Sequence, residues 1–176
     1  MVKSGKKNIF LYIAKSIHEK MIGFVGTYEC KIDAKGRISI PSALKKQLPN
    51  LEAGFVVKRS IFEKCVELYP MEEWKKISAK LSQLNQFVKK NQQFARMYQA
   101  GMKVIEIDDA GRFLLAKDLI EYSQISKDIV LTANVSHIEI WDKNLYEQSI
   151  AMSDADFSDL AEQVMGEFNA DEHGIS

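Results

Sequence analysis

The sequence predicts an α+β protein built as a tandem repeat, with a helical insert between the halves and a helix at the C-terminal end. Three observations carry this reading. The stretch Asp33-Ala34-Lys35-Gly36-Arg37 returns as Asp108-Asp109-Ala110-Gly111-Arg112, with 108 against 33, 111 against 36 and 112 against 37 all 75 residues apart. Both stretches lie between short runs of alternating apolar and polar residues, the period of a half-buried strand. From Pro70 to Gly101 the period lengthens to that of a helix.

Residues 1–20 fit neither repeat and are expected to be a flexible basic extension, or the product of a start codon upstream of Met21. Thr27 to Ile32 reads as a strand with Tyr28, Cys30 and Ile32 on one face. After the turn, Ile38 and Ile40 point inward and Pro41, which brings no amide hydrogen to a ladder, ends the strand. Ser42 suits a helix cap, and Ala43 to Leu48 makes a short helix closed by Pro49-Asn50. Phe55-Val56-Val57 and Cys65 to Tyr69 read as buried strands.

Pro70 suits the first turn of the next helix, whose apolar face holds Met71, Trp74, Ile77 and Leu81. A second helix, about Gln86 to Ala100, carries Phe87, Phe94, Met97 and Tyr98 and stops at Gly101. Those aromatic residues are expected in the core or in a subunit contact. The second half then repeats the first: Met102 to Ile107, Arg112 to Leu115, a short helix Lys117 to Tyr122, Ile129 to Leu131 and Ile138 to Trp141. By the last strands the offset has fallen to 72, so the first half carries three extra residues, expected between its later strands. Ser153-Asp154-Ala155-Asp156 resembles a capping box, and Phe157, Leu160, Ala161, Val164, Met165 and Phe168 keep helical spacing after it. This gives a first repeat at 27–73, a helical linker at 74–101, a second repeat at 102–145 and an acidic helix and tail at 146–176.

Net charge is zero, but its distribution is uneven. Residues 1–50 hold ten Lys and Arg against three Asp and Glu, residues 51–100 nine against five, and residues 101–176 five against sixteen. An asymmetry of that kind points to nucleic acid or another anionic surface, although two ordinary solvated faces would also produce it. The apolar run near the start, Asn8 to Ala14, is too short to span a bilayer and no small-residue cleavage site follows, so neither a membrane span nor secretion is expected. Because the polar face of the last helix is acidic, docking on protein is expected of it rather than membrane binding. Cys30 and Cys65 sit in apolar strand patterns without metal-ligand spacing and read as buried thiols in the cytoplasm. His18, His137 and His173 have no neighbours at ligand spacing, no Ser or Cys lies in a nucleophile motif, and no phosphate-cradling glycine loop is present. No enzyme, metal or cofactor is expected.

The two turns carry the chemistry. Asp33 and Asp108 can accept hydrogen bonds from the amides of their own turns, Gly36 and Gly111 allow the positive φ a bend needs, and each Asp can pair with the Arg four residues on. That architectural role leaves the cations free for another. Arg37, flanked by Lys31 and Lys35, would present positive charge from a rigid hairpin to phosphates or guanine edges. In the second turn Ala110 replaces Lys35 and Asp109 adds negative charge, leaving Arg112 as its main cation.

Taken with Gly23 to Tyr28, Leu68-Tyr69-Pro70-Met71-Glu72-Glu73-Trp74 and Glu139-Ile140-Trp141-Asp142, the two motifs make the chain resemble the MraZ family, whose members hold two tandem AbrB-type (SpoVT-AbrB) domains. The likeness runs from about Met21 to Tyr146. It implies two AbrB-like repeats forming a pseudo-two-fold swapped-hairpin β-barrel, and subunits associated into a ring. It implies sequence-specific binding to double-stranded DNA, as direct repeats in the promoter of the division and cell-wall gene cluster, by a transcriptional regulator of the cytoplasm and nucleoid. The family motif falls on Asp33 and Arg37 and on Asp108 and Arg112. Two features depart from it: Ala116 stands where the first half has Pro41, expected to loosen the second exit, and residues 1–20 have no counterpart. The rival expectation is an AbrB-like antitoxin or protein-interaction module.

Overall fold

The computed structural model describes residues 23–48 and 51–173, with side chains up to residue 166. The expected extension at 1–20, Met21, and Pro49-Asn50 lie outside the described residues. Chain contacts divide the protein into two units, one running to Lys143 and one starting at Asn144.

In the first unit β1 (Thr27–Lys31) leads through the first turn to β2 (Arg37–Ser39) and the short helix α1 (Ser42–Lys45). A 3-10 turn, Leu51–Ala53, precedes β3 (Phe55–Arg59) and β4 (Val66–Pro70). The insert is α2 (Met71–Ser82) and α3 (Lys89–Tyr98). The second half follows as β5 (Lys103–Ile105), β6 (Arg112–Leu114), α4 (Lys117–Tyr122), β7 (Asp128–Asn134) and β8 (His137–Asp142). Last come α5 (Lys143–Ser149) and α6 (Asp154–His173).

The strands pair across the halves. One six-stranded antiparallel sheet runs β1-β7-β8-β4-β3-β5, and β2 pairs with β6 in a separate two-stranded ribbon. Exchanging every strand for its counterpart in the other half reverses that order and leaves it unchanged. The registers share the property: Val66 faces Ile140 and Leu68 faces Ile138 about the central pair Glu67 and Glu139. In the ribbon, Arg37 faces Leu114 and Ser39 faces Arg112 about Ile38 and Phe113. The Ile40 amide donates to the Gly111 carbonyl at 2.8 Å, and the Leu115 amide donates to the Gly36 carbonyl at 2.8 Å, the same bond made twice.

The core follows from this exchange. All its buried members but Ile125 come in counterpart pairs: Ile32 with Ile107, Ile38 with Phe113, Ile40 with Leu115, Leu44 with Leu119, Phe55 with Ile129, Val57 with Leu131, Val66 with Ile138 and Leu68 with Ile140. Neither half could bury its own set alone, since each such side chain contributes about 1.5–3 kcal/mol only when water is excluded. The pairs also locate the extra residues. Phe55 and Ile129 are 74 apart and Leu68 and Ile140 are 72 apart, so one residue is inserted ahead of β3 and two lie in the β3–β4 connection.

On the other face of the sheet is a polar layer. Lys58 is buried, 2.6 Å from the Glu67 carboxylate, which also accepts from the Tyr69 hydroxyl at 2.9 Å. The ring of Tyr98, on α3, lies 4.4 Å from Lys58 Nζ and so seats the insert on the sheet.

Several expectations need correction. The sheet is not closed into a barrel: β1 and β5 are its two ends, and β2 turns away from β1 after a single bridge, Ile32 to Ile38, to pair with β6 instead. Pro70 ends β4 as the residue before α2 rather than opening the helix, and α1 likewise starts after Pro41 with no side-chain cap from Ser42. The second insert helix begins only at Lys89; Phe87, 99% exposed, and Phe94, also exposed, lie outside the core, which leaves subunit contact of the two expected alternatives. Cys30 is half-buried, whereas Cys65 is fully buried. At the second exit Ala116 keeps the backbone path of Pro41, its φ and ψ of −67° and 145° matching −54° and 139°.

In the second unit the cap at Ser153 forms. Its hydroxyl accepts from the Asp156 amide at 3.2 Å and donates to the Asp156 carboxylate at 2.6 Å, starting α6. Among the described residues no helix is long and apolar enough to cross a membrane, and no group of three or more His, Cys, Asp or Glu could hold a metal ion.

Candidate nucleic-acid interface

Each turn is built by its aspartate. Asp33 Oδ1 accepts from the amides of Lys35 and Arg37, both at 2.9 Å, and Oδ2 takes Arg37 Nε at 2.6 Å. The backbone closes the bend, with the Gly36 amide on the Asp33 carbonyl at 2.9 Å and the Asp33 amide on the Arg37 carbonyl at 3.0 Å. The second turn repeats this. Asp108 Oδ1 accepts from the Arg112 amide at 2.9 Å, and Oδ2 receives Arg112 Nε and Nη2, each at 3.0 Å. In both, the amide four residues on is the main cause that holds the aspartate carboxyl below its ordinary value of 3.8, over a partial desolvation that opposes it.

Gly36 is required by contact as well as by conformation, and Gly111 by conformation. Gly36 has φ +84°, and a Cβ there would stand 2.9 Å from the Leu115 carbonyl oxygen. Gly111 has φ +76°, and its Cβ would meet Lys45 Cδ at 3.1 Å.

Those contacts show what props each turn. Ile120, on α4, lies beneath Gly36, and its counterpart Lys45, on α1, lies beneath Gly111. Each turn therefore rests on the short helix of the opposite half. Lys45 also donates to the Asp109 carbonyl at 3.1 Å. It brings a cation to the turn that by its own sequence is acidic, so Arg112 is not the main positive group there by itself. No local motif marks Lys45; only the repeat comparison, which sets it against Ile120, makes it stand out.

The ribbon brings the two arginines onto one surface. Ile38 and Phe113 point into the core, so Arg37, Ser39, Arg112 and Leu114 share the outward face. Arg112 lies opposite Ser39, two residues along from Arg37, a separation of roughly 7 Å at strand rise. Each guanidinium is tied by its Nε edge to an aspartate, which fixes its direction and leaves further N–H donors available. Lys35 is exposed at the first tip. Lys31 lies back on β1, exposed and 3.9 Å from Asp128, a surface pair worth at most about 1 kcal/mol.

Comparison with known proteins agrees with the repeat. The sequence model of the MraZ family, described as "MraZ protein, putative antitoxin-like", matches residues 23–97 and again residues 99–168. The chain is 57% identical over 153 residues to the "Transcriptional regulator MraZ" of Flavobacterium psychrophilum, covering 86% of this chain and 98% of that protein. It is 53% identical over 157 residues to the protein of the same description from Christiangramia forsetii, covering 89% and 100%. The Cytophaga hutchinsonii protein, also described so, is 38% identical over 142 residues, with 81% and 94% covered. With both repeats matched and these identities over most of its length, the chain belongs to the MraZ family.

Proposed function

We propose that the chain is a sequence-specific DNA-binding transcriptional regulator, acting as a ring-forming oligomer on direct repeats in the promoter of the division and cell-wall gene cluster. The observation that carries this reading is the β2–β6 ribbon, with two aspartate-braced arginines on its outward face. A two-stranded ribbon is one of the few elements that fit the major groove, and an arginine held in direction is suited to the O6 and N7 of guanine. In this reading Arg37 and Arg112 contact bases or phosphates, and Lys31 and Lys35 contact phosphates. Asp33, Gly36, Asp108 and Gly111 hold the turns. The exchange of strands between halves supports a pseudo-two-fold, swapped-hairpin arrangement in which one chain does the work of a dimer of single-repeat chains. Individually weak contacts, repeated around a ring at fixed spacing, would sum through effective concentration. The description of three relatives as transcriptional regulators supports the regulatory role; in this reading it is exercised in the cytoplasm, at the nucleoid.

The test is Arg37→Ala in the full chain, titrated against the DNA upstream of its own gene. Binding should weaken by about 1–3 kcal/mol if the contact is bidentate to guanine, with the fold and subunit number unchanged. Unaltered affinity would remove Arg37 from the interface, and recovery of a stoichiometric toxin with the purified protein would favour the antitoxin reading instead.

A further inference from the structure

The helix that ends each repeat carries an exposed apolar stripe, and the two stripes are set in opposite charge. An offset of 72 carries residue 89 to 161 and residue 98 to 170, so α3 and α6 are counterparts. The family match ends its first repeat at 97, near the end of α3, and its second at 168, within α6. On α3, Phe94 and Met97 are exposed and follow Phe87, exposed in the turn before the helix, at helical spacing, with Lys90 between them in the same row. Tyr98 is the residue turned inward, onto Lys58. On α6, Phe157, Leu160, Val164 and Met165 are exposed and keep the same spacing. Helix α3 contains Lys89, Lys90 and Arg96 and no acid, while α6 contains Asp154, Asp156, Asp159 and Glu162 in its first half and no Lys or Arg.

We propose that the outward face of α3 in one subunit is the docking surface for α6 of a second copy of this chain. This deepens the ring reading above and rests on it. Charge decides the partner: α3 against α3 would bring lysines together and α6 against α6 carboxylates, whereas α3 against α6 pairs apolar stripe with apolar stripe inside opposite charges. The contact joins two different surfaces, so each subunit keeps one of each free for its neighbours. A head-to-tail contact of this kind makes a ring when its rotation closes.

Two variants of the full chain test it by sedimentation. Lys90→Glu with Met97→Glu sets two carboxylates in the apolar row of α3 in place of its one lysine, and Leu160→Lys with Val164→Lys sets two ammonium groups in the apolar row of α6; all four side chains are exposed. Each variant alone sets like charge against like, and the concentration for half-assembly should rise at least about tenfold. In an equimolar mixture each altered face meets an opposite face on the other variant, so assembly should recover, which also shows that both variants fold. A variant that assembles alone as the wild type does would overturn the contact while leaving the ring standing. A mixture that stays dissociated would overturn it too, because only docking within one chain gains nothing from mixing. A wild-type chain that does not assemble at all would overturn the ring and this contact together.

Discussion

At the scale of single residues the turns are electrostatic devices whose aspartates must be ionised to work. Asp33 and Asp108 are held below 3.8 in the folded chain, first by the amides of Arg37 and Arg112. Between the lowered folded value and 3.8 the unfolded chain binds more protons than the folded one. The turns' contribution to stability is therefore complete above 3.8 and is lost as pH falls through the folded value. The Arg37 amide resonance, followed by NMR, should titrate with a midpoint below 3.8; a midpoint at or above it would contradict the bonding described. Lys45 belongs to the same scale and was hidden for a physical reason. Which turn a lysine reaches depends on how the halves pack, and α1 packs beneath the turn of the other half.

Among elements, the ribbon is where sequence and structure can be compared most closely. Alternation identifies Ile38 and Phe113 as inward residues, and both are buried in the core. Alternation names a face, however, and not a partner. Nothing in the period of residues 37–40 says that β2 leaves β1 to pair with β6, because that choice is made by the shared core. The same limit applies to α3, where helical spacing identifies the stripe of Phe94 and Met97 but not whether another surface covers it. Ile38, with no exposed surface, sits at the centre of the ribbon and touches the common core of both repeats. Ile38→Ala should cost about 2–5 kcal/mol. In urea its sheet and ribbon should still unfold in one transition, read by tryptophan fluorescence and far-UV circular dichroism together. Two separated transitions would mean that the repeats fold independently, against the paired core.

For the whole molecule, the uneven charge acquires a layout. The basic residues of the first half include Lys35, Arg37 and those of α3, while much of the acidic surplus of the second half lies on α6. Repetition explains the fold, and the points where the copies differ explain the proposed activity. Lys35 against Ala110, Lys45 against Ile120 and α3 against α6 are each a counterpart pair with different charge. Under the proposed function this charge serves DNA binding through phosphate contacts repeated over several subunits. The most direct measurement is a titration of the full chain against its own upstream DNA over a range of salt concentrations. Each phosphate neutralised should contribute a slope of about −0.9 to the logarithm of affinity against the logarithm of salt, so affinity should fall steeply, and less steeply in Arg37→Ala if that residue contacts phosphate. A specific complex whose affinity did not change with salt would contradict it.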